Sequence, residues 1–494
     1  MNIQVLQKSY TEQDYSKYQE RIREQLNVLS DLIRMPGFGG ENYRFGGDVS
    51  VYLVDSDLDV SCDNLSILSQ CGDPRIHLGA NKYQLRYQLS SIATSGAAFD
   101  AMAEELGELH ELTEDACRQR HLNLLPIGIL PTLRRANITS DNMTDTSLQK
   151  ALSGGLQRLR GDSYRLQIGD AVPLEFTCND ITLEGANSAF NFHLKTPLKH
   201  FVNTWNALQL ITPVVLGCAS NSPFLFGQRL WDETRVALFM QAHKQQTSPK
   251  QLWQKPARVN YGQGWLRNGP WELFCENVAL FDPILPIVYP KDAYDSITAG
   301  ELPTLDELQL HQSTVWTWNR ALFDTAMNGS FAIESRCLPS GPSITDMIAN
   351  IAFMAGLTIG LSDQVSALIA AFPFSYARDN FYRAAQYGLH AELLWPDTHS
   401  AHPRQYKVSQ LASALLPIAE KGLNILGLET NQSRQYLDII QRRIDKQITG
   451  AIWQSDTMTY YLKSYDHEQA QKRMLQDYMS NSYENKPVSD WATP

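Results

Sequence analysis

The sequence contains no uninterrupted apolar run approaching the ~18 residues that a membrane span requires. Its opening, MNIQVLQKSYTEQDYSKYQERIREQL, has no apolar signal core. Cysteine is sparse: Cys62, Cys71, Cys117, Cys178, Cys218, Cys275 and Cys337 are odd in number, scattered and never paired as CxxC. Neither a disulfide framework nor a zinc cage is expected from them. Positive charge is also short. Lys and Arg number 42 against 53 Asp and Glu, a net charge of −11 with a pI near 5.5. That argues against a non-specific nucleic-acid binder but leaves room for local basic pockets that hold phosphates. No P-loop, dinucleotide fingerprint, HExxH or GxSxG is present. There is no internal repeat and no low-complexity block. The expectation is a soluble, cytoplasmic protein with no membrane and no nucleic-acid partner.

What is present is enough apolar residue, 43% of 494, for one large domain or two to three ordinary ones. Residues 10–34 carry a helical pattern, and Pro36 with the cluster GFGGENYRFGG breaks the chain before the strand DVSVYLVD. Residues 96–120 are rich in helix formers. LLPIGILP reads as a buried strand closed by Pro131, and SYRLQIGD, LEFTCNDITL, SAFNFHLK and FAIESRCL as further strands. Residues 197–245 read as two helices around an ASNSPFLFG loop. Ser343, with Asp346 three residues on, resembles a capping arrangement that opens the helix SITDMIANIAFMAGLTIGL. The chain is then largely helical to about residue 450, and the polar end from DHEQAQKRM onward is expected to be partly mobile. Strands cluster without a helix between each pair, which predicts α+β with an antiparallel sheet.

Several strands place two polar residues on one face. In YQLRYQLSS, Tyr83, Leu85, Tyr87 and Leu89 share one side; Gln84, Arg86, Gln88 and Ser90 share the other. Asp48 and Ser50, Asn191 and His193, and Glu334 and Arg336 repeat the pattern. Taken alone, these faces are the solvent side of an ordinary sheet.

Taken in order, LLPIGILPTL, LEGANSAFNFHLK, ASNSPFLFGQRLWDETR, VNYGQGWL, WTWNR, ESRCLPSGPSITDMIANIAFMAGL and TGAIWQ resemble the second glutamate–cysteine ligase family and its branch of carboxylate–amine ligase-like proteins. The likeness runs from about residue 45 to 455. It implies a glutamine-synthetase-like fold: a curved antiparallel sheet forming a funnel, with helices packed outside. The polar strand faces would then look into the funnel. The implied chemistry is ATP-dependent: a glutamate side-chain carboxylate is phosphorylated and an amine attacks the acyl phosphate. Such transfer depends on neutralising phosphate charge, with Mg²⁺ ions held by carboxylates and with arginines.

The carboxylates depart from that pattern. Where the family carries Glu-x-Glu on its first strand, this chain has Asp48-Val49-Ser50, and a metal-binding glutamate of the next strand is replaced by Arg86. Two unit charges ~4 Å apart interact by about 4 kcal/mol at an effective dielectric near 20, so a cation beside Arg86 is repelled. Two roles are open to Arg86: pairing with Glu334 or Asp48 in the space of a missing ion, or contacting a nucleotide phosphate directly.

The resemblance therefore implies Asp48 and Glu334 as the remaining Mg²⁺ ligands, and Arg336, Arg86 and His193 as catalytic residues. It implies Arg336, Arg235, Arg229, Arg320 and Asn221 around ATP, and a small, amino-acid-like substrate. A packing or capping role for Asn221 and Glu233 remains equally open, and Trp231, Trp265, Trp316 and Trp318 read as core. The alternative is a non-catalytic ligase fold that binds a small molecule or a protein partner. The organisation expected is an N-terminal helical arm (1–35), a ligase-like domain (36–455) and a polar C-terminal tail (456–494).

Overall fold

The computed structural model describes residues 10–160, 163–169, 173–242, 255–325, 329–397 and 402–492. At its centre is a seven-stranded sheet of β1 (Arg44–Val54), β2 (Ile76–Leu78), β3 (Gln84–Ala93), β4 (Asn123–Leu125), β5 (Phe190–Thr196), β6 (Asn319–Asp324) and β7 (Ser330–Ser335). The order is β6-β7-β5-β1-β3-β2, and β4 also pairs with β1. Every pairing in this sheet is antiparallel, as strand clustering predicts.

The apolar residues of each strand form one face. Val49, Val51, Leu85, Tyr87, Phe190, Phe192, Leu194, Phe331 and Ile333 are all buried. They pack with helices Ala98–Arg118, Phe201–Ala219, Ile344–Ser362 and Val408–Ile425 in one core cluster. Each large apolar side chain so buried contributes about 1.5–3 kcal/mol against exposure. Ile344–Ser362 is long and apolar enough to cross a membrane, but it is buried on every face inside this core. The Ser343 hydroxyl accepts from the Asp346 amide at 3.0 Å, so the expected cap is formed. This helix lies backbone to backbone on Val408–Ile425. A methyl group at Gly422 would run into the Gly356 carbonyl oxygen, and one at Gly360 into the Ile418 carbonyl oxygen.

Four expectations change. LLPIGILP forms a strand only over Asn123–Leu125; Pro126 and Pro131 have no N–H to give a ladder, and the buried remainder is irregular. Tyr164–Ile168 and Leu174–Cys178 form a separate two-stranded sheet. The ASNSPFLFG loop contains a short hairpin, Phe224–Leu225 with Gln228–Arg229, whose turn residues Phe226 and Gly227 both take positive φ.

The fourth change concerns the two ends. Helix Glu12–Arg34 starts with a Thr11–Asp14 capping box and buries Tyr15, Tyr18, Ile22, Leu26 and Leu29, so it is a packed element rather than an arm. Helices Gly450–Tyr461 and His467–Tyr483 complete the C-terminal end, where Trp491 stands edge-on to Trp453 and Tyr478 at 4.9 and 5.1 Å between ring centres. The Tyr478 hydroxyl donates to the Pro126 carbonyl at 2.9 Å. Polar composition here marks an outer face, not a loose tail. Residues 1–9 of the expected arm, 243–245 of the expected helix pair, and 493–494 of the tail lie outside the described residues.

Candidate functional site

Register builds the site. Arg320 on β6 is paired with Glu334 on β7, and Glu334 with His193 on β5, so the three side chains stand in one row on the polar face. Arg320 donates to both Glu334 oxygens, Nε at 2.8 Å and Nη2 at 3.2 Å, and His193 Nε2 lies 3.4 Å from Oε1. Arg336 Nε is 3.8 Å from Oε2. Burial alone would raise the Glu334 carboxyl; Arg320, the His193 hydrogen bond and Arg336 outweigh it and hold the group well below the usual carboxylate range. Burial also brings the Arg336 guanidinium down to about 10, against the pull of Glu334.

Asp48 stands one step along the strands. On β1 it is paired with Asn191, which donates to its Oδ1 at 3.0 Å, and Oδ2 is 3.8 Å from His193 Nε2. Donor atoms of Asp48, His193 and Glu334 all lie within 4.8 Å of one another, the one such cluster among the described residues. The two expected metal ligands are thus brought together, with His193 between them. Their chemistry is mixed. Glu334 already holds Arg320 through both oxygens, and Mg²⁺ prefers oxygen ligands of uncompensated charge. Glu334 as placed therefore does not fit a Mg²⁺ ion, which leaves Asp48 as the one expected ligand outside an arginine hydrogen bond.

Two cavities flank this cluster along the same strands. The larger, about 590 Å³, is lined by Asp48, Ser50, Arg86, Asn191, Arg235 and Arg336, with Phe239, Trp316 and Trp318 as aromatic wall. The smaller, about 440 Å³, is lined by Tyr43, Arg44, Thr94, Lys195 and Thr196. Along β5 the order is Asn191, His193, Lys195: one cavity, the cluster, the other cavity. All three side chains lie on the same face of the strand.

Arg86 reaches the larger cavity but does not fill the space of an ion. It is exposed, sits opposite Ser50 and His77, and pairs with neither Glu334 nor Asp48. Of its two open roles, the ion-pair one is therefore not adopted. Arg235 lines the same cavity but is braced from behind, with Nε on Glu233 Oε1 and Nη2 on the Cys337 carbonyl, each at 2.7 Å. Arg320 is held by Glu334 and by the Gln312 and Ser313 carbonyls. Arg229 is an exposed hairpin residue bound to Asp232 and does not line the cavity.

Asn221 is architectural. Fully buried, it donates to the Ser340 carbonyl and to the Tyr478 hydroxyl at 2.8 Å and accepts from Gln454 at 2.9 Å. Ser90 also leaves the polar row. Phe45 pairs with Ile92 but Gly47 with Leu89, a bulge at Ser90–Ser91, and Ser90 donates to Glu105 of the outer helix instead. Residues missed in the sequence include Asn187, Arg44 and Lys195. The alternation Ala189, Asn191, His193, Lys195, extended back by two, reaches Asn187.

No protein-family model matches the sequence, and no curated protein sequence is detectably similar. Solved structures do match. A glutamate–cysteine ligase from Francisella tularensis, in complex with AMP, superposes with a TM-score of 0.51 at 10% identity, over 93% of this chain and 91% of that one. The fold is similar to that of this ligase. A bifunctional glutathione synthetase from Pasteurella multocida gives 0.51 at 9% identity, over 94% of this chain and 55% of that one. This chain thus spans about half of that protein's length. The likeness bears out the ligase-like architecture expected from the motifs. Identity this low identifies the fold alone.

Proposed function

We propose that the protein is an ATP-dependent carboxylate–amine ligase acting on a small, amino-acid-like carboxylate. The observation that carries this reading is the row Asn191, His193, Lys195 on one strand face, which sets the Asp48–His193–Glu334 cluster between two cavities. A two-substrate transfer needs two adjoining pockets and a charged centre between them. In this reading Arg44 and Lys195 serve the nucleotide side, and the larger cavity takes the carboxylate and the amine. Arg86 and Arg336 neutralise phosphate charge as it develops. His193 positions Glu334 and Asp48, and Asp48 holds the one Mg²⁺ ion that accompanies the nucleotide. A glutamate–cysteine ligase of the same fold binds AMP, which supports a nucleotide here.

A second reading is favoured by one specific feature. Both Glu334 oxygens are occupied by Arg320, so a carboxylate expected to hold metal is engaged within the protein. On this reading the chain binds its ligands without turnover. Calorimetric titration with ATP, with and without Mg²⁺, followed by assay of ADP release with L-glutamate and a panel of amines, separates the two. Metal-dependent ATP binding with carboxylate-dependent ADP release supports the ligase. ATP binding without ADP release under any of these conditions supports the second reading, and no ATP binding overturns both.

A further inference from the structure

Another cavity, of about 250 Å³, lies behind the sheet, on the apolar face. Val49 and Val51 of β1, Leu106, Pro126, Ile344 and Met347 form its apolar wall. Leu106, His110 and Glu114 stand in one row on helix Ala98–Arg118, four residues apart. Leu106 belongs to the core, so apolar residues are expected along the row, yet His110 and Glu114 follow it and line the cavity. Both are half-buried, and neither makes a hydrogen bond among the described residues. Tyr87 of β3 lines the cavity as well. Its hydroxyl is fully buried and has no partner; Thr113, near it, gives its own proton to the Leu109 carbonyl at 2.7 Å. The exposed Tyr483 and Asn485 of the C-terminal end complete the lining, with the Tyr483 ring 6.5 Å from that of His110.

Buried polar atoms in native proteins are nearly always paired, so an orphan hydroxyl at a cavity points to a ligand that supplies the partner. Size and polarity fix its kind. An engineered cavity of ~150 Å³ with aliphatic and aromatic walls takes benzene, so this one has room for a ring with a short substituent. Burial brings the His110 imidazole down to about 4, so it is uncharged in neutral solution and offers one donor and one acceptor. Among the described residues no Lys or Arg lines the cavity, and Glu114 opposes an anion. We propose that this cavity binds a small uncharged aromatic molecule bearing a hydroxyl or N–H group, and that it is an effector site. The ring packs on Val49, Val51 and Met347, and the polar group meets the Tyr87 hydroxyl and His110. The effector role follows from β1. Val49 and Val51 line this cavity, while Asp48 and Ser50, beside them, line the larger cavity on the opposite face. Close-packed interiors transmit strain, so a ligand pressing on one side of the strand moves the groups on the other. The effector role rests on the ligase reading; the binding site does not.

The test is calorimetry on the full chain with 4-ethylphenol, and with 4-ethylbenzoate as the anionic analogue of the same ring. Saturable 4-ethylphenol binding is expected, with 4-ethylbenzoate about tenfold weaker or more. Tyr87→Phe removes only the unpartnered oxygen. It should leave the urea midpoint unchanged and weaken 4-ethylphenol about fivefold. Ile344→Trp fills the cavity from a half-buried position and should abolish binding; if it does not fold, Tyr87→Phe decides. Saturating 4-ethylphenol should change ATP affinity about threefold or more, and saturating ATP should change 4-ethylphenol affinity by the same factor. No 4-ethylphenol binding, equal affinity for the two probes, or unchanged binding in either folded variant overturns the site. Binding that leaves ATP affinity within about twofold overturns the effector role alone. A chain that binds 4-ethylphenol but no ATP overturns the ligase reading, and the effector role with it, and leaves the site standing.

Discussion

Arg320 and Glu334 face each other across neighbouring strands and are joined by two hydrogen bonds, 2.8 and 3.2 Å long. Both side chains are largely withdrawn from water, so the pair is costly to break from one side only. Arg320→Ala is expected to destabilise the fold by about 3 kcal/mol in urea unfolding, because Glu334 keeps its charge with only Arg336 and His193 nearby.

The same pair sets a pH dependence. The Glu334 carboxyl is lowered in the folded protein, so its contribution is fully present above the unfolded value of about 4.3 and is lost as pH falls toward the folded value. The stability gap between wild type and Arg320→Ala should therefore narrow below about pH 4, measured by denaturant unfolding across a pH series.

Arg86 is the contrasting case: exposed and at the cavity, without a carboxylate partner among the described residues. Arg86→Ala should shift stability by no more than about 0.5 kcal/mol and weaken anionic-ligand binding by about tenfold. Arg86→Glu should make ATP binding more dependent on Mg²⁺, because it exchanges a repelling charge for an oxygen ligand. Calorimetry on both variants checks the pair of expectations.

Asp346 and Arg443 hold the C-terminal end in place. The guanidinium Nη2 donates to Asp346 Oδ1 at 2.6 Å and Nη1 to Asn350 at 2.6 Å, while the Val488 amide donates to Asp346 Oδ2 at 2.9 Å. Asp346→Ala should cost about 3 kcal/mol or more and expose residues after Tyr483 to limited proteolysis before the rest of the chain.

Gly422→Ala adds one carbon where the Gly356 carbonyl already sits. Separating the two helices to admit it should destabilise the protein by about 3 kcal/mol in thermal or urea unfolding, the upper end for overpacking.

The polar face was legible because a strand's period of two is strict: Asp48, Asn191, His193, Glu334 and Arg336 all converge where alternation puts them. Ser90 escaped because a bulge changes the count without a marker in the sequence. Arg229 and Asn221 escaped for another reason. A motif places a residue near a site, but its bonding partners, Asp232 for one and Tyr478 for the other, are set by chain segments that local spacing does not reveal. The aromatic wall of Trp316 and Trp318 reads as core because it is core on one side and cavity on the other.

The Ile344–Ser362 helix has its glycine-matched partner in Val408–Ile425, which follows it in the chain. During synthesis it leaves the ribosome before that partner exists. A nascent polypeptide stalled in this interval presents an almost wholly greasy cylinder to water, a surface of the kind that chaperones shield and that drives aggregation when they do not.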